Sequence, residues 1–194
     1  MILRTLFILA LAANSSVAWG HSEGGQASGF IAGLLHPIGG MDHVLAMVAV
    51  GLWGAQLGNP ALWMLPVAFP LVMAFGGFLG LIGVPLPGIE IGIALSGVLL
   101  GLAVATKLQP PLWVALLLVA VFAIFHGHAH GTELPEGASG LTYSLGFVIA
   151  TGMLHASGIS IGLVQRWQQG KLALRWIGGL ISLGGAYFLF GALS

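Results

Sequence analysis

Apolar residues fill this chain in long unbroken stretches, separated by short interruptions that carry its prolines and most of its charges. Neither the strict alternation of a half-buried strand nor the half-polar stripe of a soluble helix recurs. Stretches of about 20 apolar residues match helices that cross a bilayer. Six are predicted, at about 29–57, 60–83, 89–106, 111 to at least 126, 141–164 and 174–193. Val84-Pro-Leu-Pro-Gly88 must be a turn, because its prolines lack donors and resist helix. Residues 1–20 read as a secretory signal: Arg4 is the positive end, Leu6 to Ala13 the apolar run, and Ser16-Val-Ala18 or Ala18-Trp-Gly20 the small-residue cleavage site. The alternative, an uncleaved first helix, asks a short apolar run to span a bilayer. Cleavage after Gly20 leaves His21 at the new N-terminus and 21–28 as a Gly/Ser-rich periplasmic tail. The expected fold is therefore all-α, a polytopic membrane protein with six transmembrane helices over 29–194.

Composition narrows the class further. Charged residues make up 5% of the chain and mean hydropathy is +1.04, against about 25% charged residues in an average soluble domain. Five Lys plus Arg give no basic footprint for nucleic acid. With no cysteine there is no thiolate metal site and no redox pair. The 32 glycines suit helices whose backbones approach closely. Charge placement orients the spans. Lys107 falls between the third and fourth, and Arg166, Lys171 and Arg175 in or beside the connection from fifth to sixth. Glu23, Glu90, Glu133 and Glu136 fall on the other side. The positive-inside rule then puts both ends of the mature chain outside.

Seven histidines beside ten charged residues are the remaining oddity. Three polar groups, His36, Asp42 and His43, interrupt the first span. Strongly charged side chains at a helix centre cost about 2.5–3.5 kcal/mol even on lenient scales, so ionisable groups at such depth mark function. Seven residues make nearly two turns, so His36 and His43 are expected on one helical face, with Asp42 about 100° away from His43, toward a neighbouring helix or a partner there. In a straight helix His36 sits about 10 Å below an outer boundary near Gly29, and His43 about 20 Å. Pro37 with Gly39 and Gly40 can kink or unwind this helix, as in many transporters.

A second cluster, Phe125-His-Gly-His-Ala-His-Gly-Thr-Glu133, ends the fourth span. An extended strand aligns His126, His128 and His130. A continued helix instead aligns His126, His130 and Glu133 and turns His128 to another side. Pro135 supplies a helix stop just after Glu133, which favours the helix and places His126 level with His36. The i, i+4 spacing suits two imidazoles on one ion, whereas a hydrated His-rich loop merely buffers metal. Imidazole and carboxylate without thiolate suit Ni²⁺, Co²⁺ or Zn²⁺. An inside-negative potential draws a divalent ion inward by about 4.6 kcal/mol per 100 mV, twice the single-charge value.

These residues carry a resemblance. The sequence resembles the HupE/UreJ family of hydrogenase and urease accessory membrane proteins, whose first mark is His, five residues, then Asp-His, here His36 through Asp42-His43. The second mark is Phe-His-Gly-x-(Ala/Val)-His-Gly-x-Glu, complete here from Phe125 to Glu133. The similar pattern of the nickel/cobalt permeases is one residue shorter in the first motif. The resemblance implies uptake of nickel, or cobalt, as transported substrate. It implies delivery to hydrogenase or urease maturation proteins, no enzymatic activity and no permanently bound cofactor. His36, Asp42, His43, His126, His130 and Glu133 are then the metal-binding set, with His128 at a variable position.

Two further residues are secondary candidates. Glu90 opens the third span on the same side as both clusters, either as a capping acid or as an attractor of cations. His155, about 14 residues into the fifth span and near the expected depth of His43, reads as a packing hydrogen bond among small residues. Phe69, between Ala68 and Pro70, reads as packing beside a helix irregularity. The leading expectation is a permease that loads at His126, His130 and Glu133 and passes the ion inward to His36, Asp42 and His43. Its rivals are a membrane metal buffer or sensor, and a haem protein using paired membrane histidines.

Overall fold

The computed structural model describes residues 25–134 and 137–194. The expected signal peptide, His21, Glu23, Pro135 and Glu136 lie outside the described residues. Those described form seven α-helices and one 3-10 turn, with no strand among them. In chain order they are α1 (Gly25–Gly39), α2 (Met41–Leu57), α3 (Ala61–Leu81), α4 (Ile89–Thr106), α5 (Leu112–Thr132), α6 (Gly140–Gly162), a 3-10 turn (Leu163–Arg166) and α7 (Gln168–Leu193). α3, α4, α5, α6 with the 3-10 turn, and α7 are each long and apolar enough to cross a membrane; α1 and α2 meet that test only together, as one bent pair, which makes the count five or six among the described residues. The apolar stretches thus became helices. α7 starts at Gln168, however, six residues earlier than expected, and takes Lys171 and Arg175 into its first two turns.

The first span is not one helix. It bends by 81° at Gly40, whose φ of −96° and ψ of 111° are extended backbone. Pro37 stays inside α1 and does not form the break. The straight-helix depths for His36 and His43 therefore fail, and the two do not share one helical face. Downstream of the bend α2 is the hub of the bundle, packing on α3, α4, α6 and α7 as well as α1. Its side chains from Ala46 to Ala55 are largely buried on all sides, including Met47, Leu52 and Trp53. Four pairs are intimate: α3 with α5, α4 with α7, α6 with α1, and α6 with α2 itself.

Those pairs rest on backbone approach, the pattern of helices packed without a hydrophobic driving force. α3 and α5 show it best. A Cβ on Gly127 would overlap the Met73 carbonyl, and one on Gly131 would overlap that of Gly77. Only glycine fits at these two places, and each directly follows a histidine of the line, His126 or His130.

The bundle is polar at both ends and different at each. Asp42, Glu90 and Glu133 lie near the α1–α2 break, the start of α4 and the end of α5. Lys107, Arg166, Lys171 and Arg175 lie at the opposite ends of the same helices and at the start of α7.

Candidate metal-binding site

α5 continues as a helix through His126, His128 and His130 to Thr132, and Glu133 caps it. The helical alternative for this motif is therefore the one observed. Residues i and i+4 on one face bring His126 and His130 to the interior side of α5, against α2. The 81° turn at Gly40 brings both His36 and His43 to that same face.

The four imidazoles form one line. The His36 and His130 ring centroids are 4.7 Å apart, His130 and His43 are 4.7 Å apart, and His43 and His126 are 4.9 Å apart. His36 Nε2 donates to Glu133 Oε2 at 3.0 Å, joining the first motif to the second. One ligand atom each from His36, His130 and Glu133 lies within 4.8 Å of the others. Two donors on one tetrahedral ion, each about 2 Å from it, stand about 3 Å apart, so a modest contraction of this trio closes it on a metal.

The two motifs are interleaved. His36 is level with His130 and Glu133, and not with His126 as expected. Asp42 and His43 are not a station inward of the second motif, because His43 sits between His130 and His126. Side-chain exposure falls from 52% at Glu133 and 32% at His36 to 11% at His43. His130 and His126 are buried. The exposed end of the line is thus the His36–Glu133 pair, one residue from each motif, and its buried end is His126.

Hydrogen bonds fix which nitrogen each ring presents. Asp42 does not reach a neighbouring helix. Its Oδ1 accepts from the His43 backbone N–H at 2.8 Å and from His43 Nδ1 at 2.9 Å. His126 Nδ1 donates to the Phe122 carbonyl at 2.9 Å. In both rings the Nδ1 proton is held, which leaves Nε2 as a lone pair, the arrangement by which outer groups orient metal-binding histidines. His43 Nε2, His126 Nε2 and both nitrogens of His130 are buried without a hydrogen-bond partner. Buried polar atoms almost always find partners, so this row of unpartnered ring nitrogens is the site's strongest chemical signal.

Glu90 belongs to the same place. It lines a cavity of about 500 Å³ with His36, Asp42, His43 and Glu133. Three carboxylates around one cavity give a cation a favourable approach. His128 stands apart, as the helical reading implied: its Nε2 donates to the Val84 carbonyl at 2.6 Å.

His155 lies one level beyond, and not level with His43. The Phe69 ring separates it from the line, 5.5 Å from His126 on one side and 5.4 Å from His155 on the other. The packing hydrogen bond expected of His155 is not made. It lies against the Pro66 carbonyl, which Pro70 leaves without a helical donor, but short of hydrogen-bond geometry. Phe69 is fully buried and divides the polar interior, more than the filler expected.

Sequence reasoning passed over the aromatic wall of the site. Phe147 stands 3.9 Å from His130 and Tyr143 stands 5.9 Å from His36, centroid to centroid. A signal was available: Tyr143, Phe147, Thr151 and His155 recur every four residues on α6, and all four are buried. Rings in edge contact at these distances leave no slot between facing histidines for a macrocycle, which removes the geometric basis for a haem site.

The family model described as HupE / UreJ protein matches residues 9–188. Protein HupE of Rhizobium leguminosarum bv. viciae is 45% identical over 190 residues, 98% of this chain and 97% of that protein. No solved structure matches the chain.

Proposed function

The chain belongs to the HupE/UreJ family, and from that premise we propose that it is a secondary permease for Ni²⁺, with Co²⁺ as the other candidate cargo, in the bacterial inner membrane. The metal it admits serves hydrogenase or urease maturation. The observation that carries this reading is the continuous line of four imidazoles, with unpartnered nitrogens, running from an exposed carboxylate to the buried interior.

Glu90 and Glu133 attract the hydrated cation to the cavity mouth. His36, His130 and Glu133 take it first, exchanging waters for neutral nitrogen and carboxylate donors. His43 and His126 receive it next, their Nε2 atoms already turned inward by Asp42 and the Phe122 carbonyl. Because His130 borders both pairs, the ion can change partners without full release. Asp42 acts through His43, as a positioning residue. The four described Lys and Arg at the far end favour an orientation with the imidazole mouth outside. The membrane potential then drives the ion inward, by about 4.6 kcal/mol per 100 mV.

Radiolabelled Ni²⁺ uptake into cells tests the reading. Replacing His36, Asp42 or His130 by Ala should abolish uptake while each variant remains in the membrane at normal amounts. Wild-type uptake in all three would overturn it. The Phe69 ring below His126 favours one second reading, a metal buffer or sensor without transport. Reconstituted vesicles separate the two: a permease accumulates Ni²⁺ in the lumen, whereas a buffer binds it and the lumen stays empty.

A further inference from the structure

At the end of the bundle opposite the imidazoles lies a second polar cavity, of about 370 Å³, which the proposed transport leaves unused. Lys107, Lys171 and Arg175 line it together with Gln56, Gln165 and Gln168. Three of the four described cations thus face one space that no carboxylate lines. Neither ion pair among the described residues involves them. Like charges gathered without a counter-charge repel, so the arrangement calls for an anion.

Two further features make this more than a basic rim. Lys107 caps α4 in the left-handed conformation, with φ of 54°, a position where glycine is the favoured residue. A lysine there places its ammonium at the cavity at a cost in backbone energy. Gln56, in the floor, is buried, and its Nε2 donates to the Val104 carbonyl at 3.1 Å. That bond fixes the amide's orientation and leaves Oε1 as a buried acceptor with no partner. The cavity therefore asks for a ligand carrying both negative charge and a hydroxyl donor. Around it Leu108, Leu172, Trp167 and Trp176 are exposed, as apolar and aromatic side chains are at a membrane interface.

We propose that this cavity binds the headgroup of an anionic glycerophospholipid. The phosphodiester meets Lys107, Lys171 and Arg175, a headgroup hydroxyl donates to Gln56 Oε1, and the acyl chains lie along the exposed apolar residues. Free phosphate shares the anionic chemistry but would leave those apolar flanks uncovered. The site stands apart from the metal cargo and does not depend on it.

The test is lipid retention by the full-length protein, purified in detergent with equal phosphatidylglycerol and phosphatidylcholine and read by native mass spectrometry. Wild type should retain phosphatidylglycerol selectively. Each charge removed should weaken retention about fivefold, the effect of one basic residue at an anionic membrane surface. Arg175→Gln should therefore show a partial loss and Lys107→Gln/Lys171→Gln/Arg175→Gln a near-complete one. Arg166→Gln should change nothing, because Arg166 lies outside the cavity and stacks on Trp167 at 4.0 Å. If the triple variant fails to fold, the Arg175→Gln and Arg166→Gln pair still decides. Equal retention in those two variants would overturn the proposal. So would thermal stabilisation by inorganic phosphate with none from phosphatidylglycerol, which would assign the cavity to free phosphate.

Discussion

α5 carries His126 and His130 to the line of imidazoles on a continuous helix, whereas α1 and α2 deliver His36 and His43 only because the chain turns 81° between them. On the α5 side, position follows from helical period and from main-chain contact with α3, with Gly127 and Gly131 seated on carbonyls. On the other side α1 and α2 are seated as closely on α6, at Gly33 and Gly51, but the relation of His36 to His43 adds two extended dihedral angles at Gly40 and one carboxylate gripping His43. One wall of the site is thus built by packing alone, and the other adds a hinge. An ion passed between partners needs both, a fixed set of donors and a set that can adjust. The two walls should therefore fail differently when altered, which makes the comparison open to test.

The largest effect is expected on the packed wall. Gly127→Val places side-chain atoms where the Met73 carbonyl already is, so α3 and α5 must separate. Overpacking of this kind costs about 1–3 kcal/mol in ordinary cores, and here the obstruction is backbone that cannot rotate away. Purified Gly127→Val should show a clearly lowered Tm and no measurable Ni²⁺ uptake. If Tm is normal and only uptake is lost, the packed wall is not what holds His126 and His130.

Gly40→Ala should act on the hinge without unfolding the bundle. Its φ and ψ are open to alanine, but the new Cβ would lie 2.9 Å from Asp42 Oδ1 and 3.0 Å from His43 Nδ1. The methyl intrudes on the hydrogen bond that orients His43. Uptake should fall about 10- to 100-fold, the usual cost of disturbing an outer-shell partner, with Tm near wild type. A loss of stability as large as that of Gly127→Val would erase the distinction between the walls. Asp42→Asn sharpens the same point with a smaller change. An amide oxygen still accepts from His43 Nδ1, so uptake should stay measurable, about tenfold down, where Asp42→Ala shows none. Equal loss in both variants would make Asp42 a ligand in its own right.

The same difference explains what could be read from the chain alone. The run from Phe125 to Thr132 was legible as helix because the i, i+4 spacing of His126 and His130 and the stop signal at Pro135 agree. The third span was anticipated to the residue, Ile89–Thr106, because Gly88 and Lys107 flank one uninterrupted apolar run. That the first span breaks near Gly39 and Gly40 was legible, but its exact place and its 81° angle were not. Pro37, Gly39 and Gly40 each permit it, and no periodicity records at which of them two short helices part. Once the helix bends, rise per residue stops measuring depth, and every level assigned to His43 and His155 went with it. Asp42 was misread for a related reason. Helical wheels report where a side chain starts, and a short carboxylate beside a histidine can turn back to it.

The smallest effect is expected at His128, which shares the helix and the motif but not the site. Its Nε2 donates to the Val84 carbonyl in the turn after α3, so its part is to tie the end of α5 to that turn. His128→Ala removes one hydrogen bond worth about 1 kcal/mol. That should lower Tm by about 2–4 °C in a chain of this length, while Ni²⁺ uptake stays within about twofold of wild type. His128→Gln can restore the donor and should recover most of the Tm. The opposite pattern, lost uptake at unchanged Tm, would mean that α5 presents three imidazoles to the ion and not two. The packed wall would then have to turn during transport, since no single helical face holds His126, His128 and His130 together.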